Sequence, residues 1–427
     1  MEAPKTEDNG SNKPRNRKAL SVLFLSVFID LIGFGIIIPV LPYWNEVLGG
    51  TIFTYGAILS IYSLMQFVFA PIWGRISDKR GRRPIILIGI AGSIISFFLL
   101  AFTYTLAMLI IARALQGIFT SATLPTAQAF VSDTTTGEER AKGFGLIGAA
   151  FGLGIAVGPA IGGGLYSLTG LYSSLAYFAS GVSALNLIFA LIFLPETLKS
   201  KIEENHGLEK KAMSRRDSLR YLLANKEVLA IILTFSMLTL AFSSYTSTLL
   251  PYGIAKFGLT EENASIVLLI VGIISVITQG VLLRFLTRKY SNSTLMVVGF
   301  TIIAIGLVAF SQVATLLWMI LVSALIALGS SMGNPTNQAL LSQKTPDDQQ
   351  GGILGINQGL ASLMRVFAPL IGTALLDVQL GLPFFFGGGL LVLAILFFVV
   401  TVKNRKTKPV DKKSVEVIAP FIAEKLD

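Results

Sequence analysis

Gly74-Arg-Ile-Ser-Asp78-Lys-Arg-Gly-Arg82-Arg83-Pro84 is the stretch that decides the fold of this chain. It gathers five cations (Arg75, Lys79, Arg80, Arg82 and Arg83) and one acid, Asp78, between two long apolar runs, 55–73 and 85–104. A run of about 20 apolar residues crosses a bilayer as a helix, and short loops rich in Lys and Arg stay on the cytoplasmic side. The stretch therefore reads as the tight cytoplasmic bend of a helical hairpin. Pro84 suits the first turn of the second helix, where a missing N–H costs nothing.

Composition points the same way. The 427 residues are 53% hydrophobic and 14% charged, with a mean hydropathy of +0.71, which no soluble globular class resembles. Cysteine is absent and the one histidine, His206, lies in a polar stretch. Disulfides, thiolate chemistry and histidine metal centres are thereby excluded. No nucleophile–base pair can be assembled, so an enzyme is not expected, nor any cofactor or metal. The net charge of +10 suggests nucleic acid until its placement is considered. Of the 34 Lys and Arg residues, all but Lys256, Arg113 and Arg365 fall on one side of the apolar runs. The charge is topological, both termini are cytoplasmic, and no nucleic-acid partner is expected.

Twelve apolar runs are found, beginning with 19–41. The expected organisation is a cytoplasmic tail 1–18, a six-helix bundle 19–195, a polar cytoplasmic linker 196–226, a second six-helix bundle 227–402 and a basic tail 403–427. The tail 1–18 lacks an apolar core and is not read as a signal peptide. The halves repeat. An offset of 210 lays Pro125-Thr126-x-Gln128-Ala129 on Pro335-Thr336-x-Gln338-Ala339, and eleven of the 38 positions from 125 to 162 are identical. The fold class is thus all-α and polytopic: twelve transmembrane helices in two pseudo-symmetric bundles, a parallel duplication with a midplane site between halves.

The pattern Gly74-x-x-x-Asp78-x-x-Gly81-Arg82-Arg83 resembles the signature between the second and third helices of the major facilitator superfamily. The run Phe28-Ile-Asp30-Leu-Ile-Gly33-Phe-Gly35-Ile-Ile-Ile-Pro39-Val-Leu-Pro42 resembles the first helix of its tetracycline and multidrug proton antiporters, in which the matching acid lines the central cavity. Arg113-x-x-Gln116-Gly117 resembles the superfamily's fourth-helix motif, whose arginine is associated with proton coupling. Gly158-Pro159-Ala-Ile-Gly162-Gly163 resembles an element of antiporters rather than symporters. The tetracycline exporters carry further intramembrane acids, whereas the third and ninth spans here have none.

An ionisable side chain mid-bilayer costs at least about 2.5–3.5 kcal/mol and marks a functional position by default. Three stand out: Asp30, Arg113 and Arg365. Asp30 lies about 17 Å into its helix at 1.5 Å per residue and is the expected proton carrier, with Arg113 as its partner; a static ion pair between them is the alternative. Arg365 reads as an anion or substrate contact in the cavity, or as an interhelical hydrogen-bond donor. Gln116, Gln128, Tyr245, Asn357 and Gln358 are further candidates for the substrate cavity. Gly74, Asp78, Arg82, Arg83 and Asp133 are the expected conformational latch, and in the family the acid at Asp133 pairs with the arginines after the second helix. Gly158, Pro159, Gly162 and Gly163 form a close, bendable seam.

These readings converge on a monomeric secondary transporter of the cell membrane, whose partners are the bilayer, protons and a small amphipathic compound exported in exchange for them. A metabolite symporter or uniporter is the alternative within the fold. A receptor or scaffold that has lost transport is the alternative of another class.

Overall fold

The computed structural model describes residues 13–135, 137–196, 215–346 and 349–403. Most of the expected tails 1–18 and 403–427, and the segment 197–214 of the linker, lie outside the described residues. Twelve helices are long and apolar enough to cross a membrane. They are α1 (Lys13–Ile37), α2 (Ile52–Arg80), α3 (Arg82–Ala101), α4 (Leu106–Thr134), α5 (Gly137–Thr169) and α6 (Tyr172–Phe193), followed by α7 (Lys226–Phe257). The second half continues with α8 (Glu261–Ile277, running on through a π turn at Thr278–Leu282 to Lys289), α9 (Asn292–Ser311), α10 (Leu316–Lys344), α11 (Gln350–Val378) and α12 (Leu382–Phe398). Short helices at Leu41–Val47 and Arg215–Ala224 join them.

Two boundaries differ from the sequence reading. Helix α1 starts at Lys13, within the expected tail, and ends at Ile37 rather than Leu41. Pro39 explains the stop, because the residue before a proline is pushed out of the helical region.

The offset of 210 recurs in the backbone. Helices α3 and α9 are both 20 residues long, and α4 and α10 both 29, each pair starting 210 apart. Their caps repeat too: Thr105 accepts from the Met108 N–H as Thr315 does from Trp318, satisfying orphan donors of the first turn.

Packing within the halves follows the same symmetry. In the first half α1 packs on α5 and α6, and α3 on α4 and α6; in the second, α7 packs on α11 and α12, and α9 on α10 and α12. The buried cores stay apart. One spans Leu222 to Phe398, with Tyr43 from the first half inside it and Ile52 and Tyr172 packed against it; two others fill the first half. Only two helix pairs make the broad junctions between bundles, α2 with α11 and α5 with α8, and these exchange places under the repeat.

Lipid tails are as apolar as leucine, so helices in a bilayer associate by close packing of small residues rather than by hydrophobic drive. Helix α5 does this on two faces. Gly154, Gly158 and Gly162 lie on α1: a Cβ on Gly158 would stand 2.7 Å from the Gly35 Cα and 2.9 Å from the Ile32 carbonyl. Ala156 and Gly163, on the other face, meet Gly272 and Ser265 of α8 at similarly close range.

The basic turn is a clamp. Gly81 holds φ at +108° and has no room for a Cβ against the Glu196 carboxylate. Buried Arg82 then pairs through Nε with Asp133 at 2.8 Å and through Nη1 with Asp78 at 2.6 Å. It also donates from Nη1 to Ser77 Oγ at 2.7 Å, and from its backbone N–H to Glu196 Oε1 at 3.1 Å. Arg83 reaches the Leu191 carbonyl at 2.6 Å.

Two expectations follow for unfolding in detergent. Arg82→Ala leaves buried Asp133 without that cation and lowers stability by about 3 kcal/mol, whereas Asp78→Asn, at a side chain 62% exposed, costs at most about 1 kcal/mol. Gly158→Val drives a side chain into the α1 backbone and lowers stability by about 1–3 kcal/mol or more; Gly164→Ala, which meets nothing within 4 Å, leaves it unchanged.

Candidate functional site

The two junctions between bundles are closed toward one end and open toward the other. The far end is the one opposite the basic turn. There, Gly56 of α2 abuts Pro369 and Thr373 of α11, and Gly163 abuts Ser265. Three side-chain hydrogen bonds join the bundles among the described residues, all at this end. Tyr43 donates to the Leu259 carbonyl at 2.6 Å, Tyr172 to Glu261 at 2.8 Å, and Ser167 to Glu262. Trp44 stacks on Tyr172 with ring centroids 5.7 Å apart.

Following each junction face by helical steps toward the basic end gives the opposite result. Gly74 on α2, Gly148 on α5, Gly280 on α8, and Gly355 and Gly359 on α11 have nothing within 4 Å of where a Cβ would point. The four junction helices therefore splay apart, leaving a cleft between the bundles that opens at the basic end.

Asp30 does not face that cleft squarely. It shares a face of α1 with Ser26 and Gly33, and this face turns to α3 and α6. The Asn186 amide donates to the Ser26 carbonyl at 2.9 Å, Gly33 lies against Phe97 and Ser183, and Ser93 of α3 lies beside the Asp30 carboxyl. Asp30 Oδ1 and the hydroxyls of Ser26, Ser93 and Ser183 are buried without hydrogen-bond partners. Such a cluster of unmet polar atoms is where internal water is held.

Arg113 is 1% exposed, and no ion pair joins it to Asp30 among the described residues. Its Nη1 donates to Gln116 Oε1 at 2.6 Å, and its guanidinium sits over the rings of Tyr62 and Phe34, 4.9 and 5.8 Å from their centroids. Three residues that sequence reasoning passed over, Tyr62 among them, complete this group. Gln66 and Thr120 donate to the Tyr62 hydroxyl at 2.9 and 3.2 Å. Tyr62 and Gln66, four apart on one helical face in an otherwise apolar run, were the available signal.

The other candidates separate. Gln116 is buried against Arg113, and Tyr245 is 2% exposed, held among Phe242, Phe310 and Phe384 in the second bundle's core. Asn357 is buried with its Oδ1 unpartnered. Gln128 and Gln358 are exposed. Arg365 is half-buried and donates from Nη2 to Ser362 Oγ at 3.1 Å. The expected latch residues other than Gly74 come together at the basic turn, with Arg82 joining Asp78 and Asp133 inside the first bundle. Glu138, Glu139 and Arg140 have side chains outside the described set. Gly158 and Gly162 face α1, and Gly163 faces α8.

Comparison with known proteins bears on this arrangement. The family model of the Major Facilitator Superfamily matches residues 23–310 and 281–425. The tetracycline resistance protein, class C, of Escherichia coli is 31% identical over 366 residues, which cover 84% of this chain and 90% of that protein. Multidrug resistance protein 2 of Bacillus subtilis is 27% identical over 384 residues, 89% and 94% of the two chains. The crystal structure of the human organic anion transporter MFSD10 (TETRAN) superposes with a TM-score of 0.70 at 22% identity, over 90% of this chain and 100% of that one. Twelve spanning helices and transporter relatives make this a multi-pass plasma-membrane transporter and not an enzyme. Matched by the family model along nearly its whole length, the chain belongs to the major facilitator superfamily.

Proposed function

We propose that this chain exports small amphipathic compounds in exchange for protons by alternating access. The observation that carries the reading is Asp30, the one acid deep within a span among the described residues, buried with an unpartnered Oδ1 and no ion pair. Names of relatives such as tetracycline resistance and multidrug resistance proteins support export of drug-like cargo.

The asymmetry of Lys and Arg supports cytoplasmic termini, which makes the far end extracellular and this conformation inward-facing. In that state the cleft admits cargo from the cytoplasm, while Asp30 exchanges its proton with water reaching the polar pocket of Ser26, Ser93 and Ser183. Rocking of the bundles about the α2–α11 and α5–α8 junctions opens the extracellular end, where cargo leaves and Asp30 is reloaded. The carboxyl carries the proton. Arg113 is held apart from it by Gln116 and two aromatic rings.

Two measurements test this. In proteoliposomes with an internal pH indicator, ethidium or tetracycline added on the cytoplasmic face of the wild type drives proton movement opposite to cargo. Asp30→Asn abolishes it while retaining cargo binding. Protons moving with the cargo replace antiport by symport, and cargo flux without protons replaces it by uniport. Because the chain has no native cysteine, Ser167→Cys with Glu262→Cys gives a clean cross-link across the closed end. Oxidation is expected to form it in the resting protein and arrest transport, and reductant to restore it.

A further inference from the structure

The two mid-span arginines are treated differently. Arg113 is sealed, with its charge spread over Gln116 and two ring faces. Arg365 is not. A guanidinium carries five N–H donors, and the bond to Ser362 is the one hydrogen bond that Arg365 makes among the described residues. None of its remaining nitrogens is buried.

Its place on α11 shows where those donors lie. Thr373, Pro369, Arg365, Ser362 and Gln358 form one stripe along the helix, at steps of three and four residues. The far end of the stripe is pressed on Gly56 of α2. Arg365 is the first residue of the stripe below that contact, at the roof of the cleft. Tyr62 of α2 is within electrostatic reach of it.

No acid answers it. Asp30 is turned toward Ser93 inside the first bundle. The other acids with described side chains lie at the helix ends: Glu46, Glu261, Glu262 and Asp377 at the far end, and Asp78, Asp133, Glu196 and Glu227 at the basic end. At the α5–α8 junction across the cleft, α8 is apolar from Ile266 to Ile274. One side of the cleft thus presents an unpaired cation, and the helix facing it across the other junction carries no charge from Ile266 to Ile274.

An uncompensated guanidinium at this depth is costly and is stabilised when an anion joins it. We infer that the cleft takes an amphipathic organic anion, a carboxylate or sulfonate on an aromatic or aliphatic body, with Arg365 as the forked counter-ion of its acidic group. This rests on the export reading above and specifies its cargo. Sending a monoanion out while one proton comes in moves positive charge inward twice, so an inside-negative potential assists the cycle.

The test is equilibrium binding to the purified full chain in nanodiscs, using two fluorescent aromatic probes of opposite charge, carboxyfluorescein and ethidium. The wild type is expected to bind carboxyfluorescein more tightly than ethidium. Arg365→Gln weakens the anion about tenfold or more, as expected for loss of a charged hydrogen bond, and leaves ethidium unchanged or tighter. Arg365→Lys recovers part of the affinity, because it restores charge without the planar fork. Asp30→Asn keeps the anion preference, so a failure of proton coupling and a failure of this assignment are separable. Ethidium bound as tightly as carboxyfluorescein, neither probe bound, or an anion preference unmoved by Arg365→Gln overturns the inference. If Arg365→Gln does not fold, the wild-type preference decides alone.

Discussion

Helix α5 meets α1 and α8 at backbone distance, and the rest of the architecture depends on that double contact. Two bundles in lipid gain nothing from hiding leucine from leucine, so close approach must come from residues with little or no side chain. Gly154, Gly158 and Gly162 give α5 one such face, and Gly152, Ala156 and Gly163 give it another well round the helix. The first binds α5 within its own bundle; the second forms half of the broad contact between the bundles. A larger side chain on either face would separate helices whose polar groups have been placed to meet. Because Asp30 sits on the side of α1 opposite Leu31, Ile32, Gly35 and Ile36, which touch α5, a change of charge at the carboxyl acts on a helix already wedged against the junction helix. Contiguous packing of this kind is a physical route for coupling.

The basic turn serves a different end. Its arginines read in sequence as an address label, and topology accounts for most of them. Arg82 is the exception, since it is buried where a generic loop cation would be solvated. By pairing with Asp133 while its backbone binds Glu196, it ties the ends of α2 and α4 to the segment after α6. A buried ion pair is weak evidence for stability but good evidence for a fixed arrangement. The clamp braces the first bundle at the end where the cleft is open.

Depth was legible in the sequence, and direction was not. Counting residues along an apolar run locates Asp30, Arg113 and Arg365 mid-span, and the offset of 210 anticipates helix boundaries and matched caps at Thr105 and Thr315. The azimuth of each side chain escaped the same reasoning. A helix buried on all sides has no apolar face to contrast with a polar one, so nothing in the run around Tyr245 shows that its ring enters the aromatic core with Phe310 and Phe384. The same uniformity hid the turn of Asp30 toward Ser93 and its separation from Arg113. Tyr62, Gln66 and Thr120 are each ordinary residues in an apolar helix; the spacing of Tyr62 and Gln66 was a faint signal, and their mutual hydrogen bonds with Thr120 set the three apart.

The lack of an ion pair between Asp30 and Arg113 favours a moving proton over a static brace. A carboxylate locked to a guanidinium stays charged through the cycle, because removing one member of a buried pair leaves the other uncompensated. Here the arginine is held without the acid, by one bond to Gln116 and by the faces of Tyr62 and Phe34. The Ser93 hydroxyl beside the acid can donate or accept, so it suits both the neutral and the charged form. Fixing the cation by other means leaves the carboxyl free to change its charge without dismantling the bundle around it.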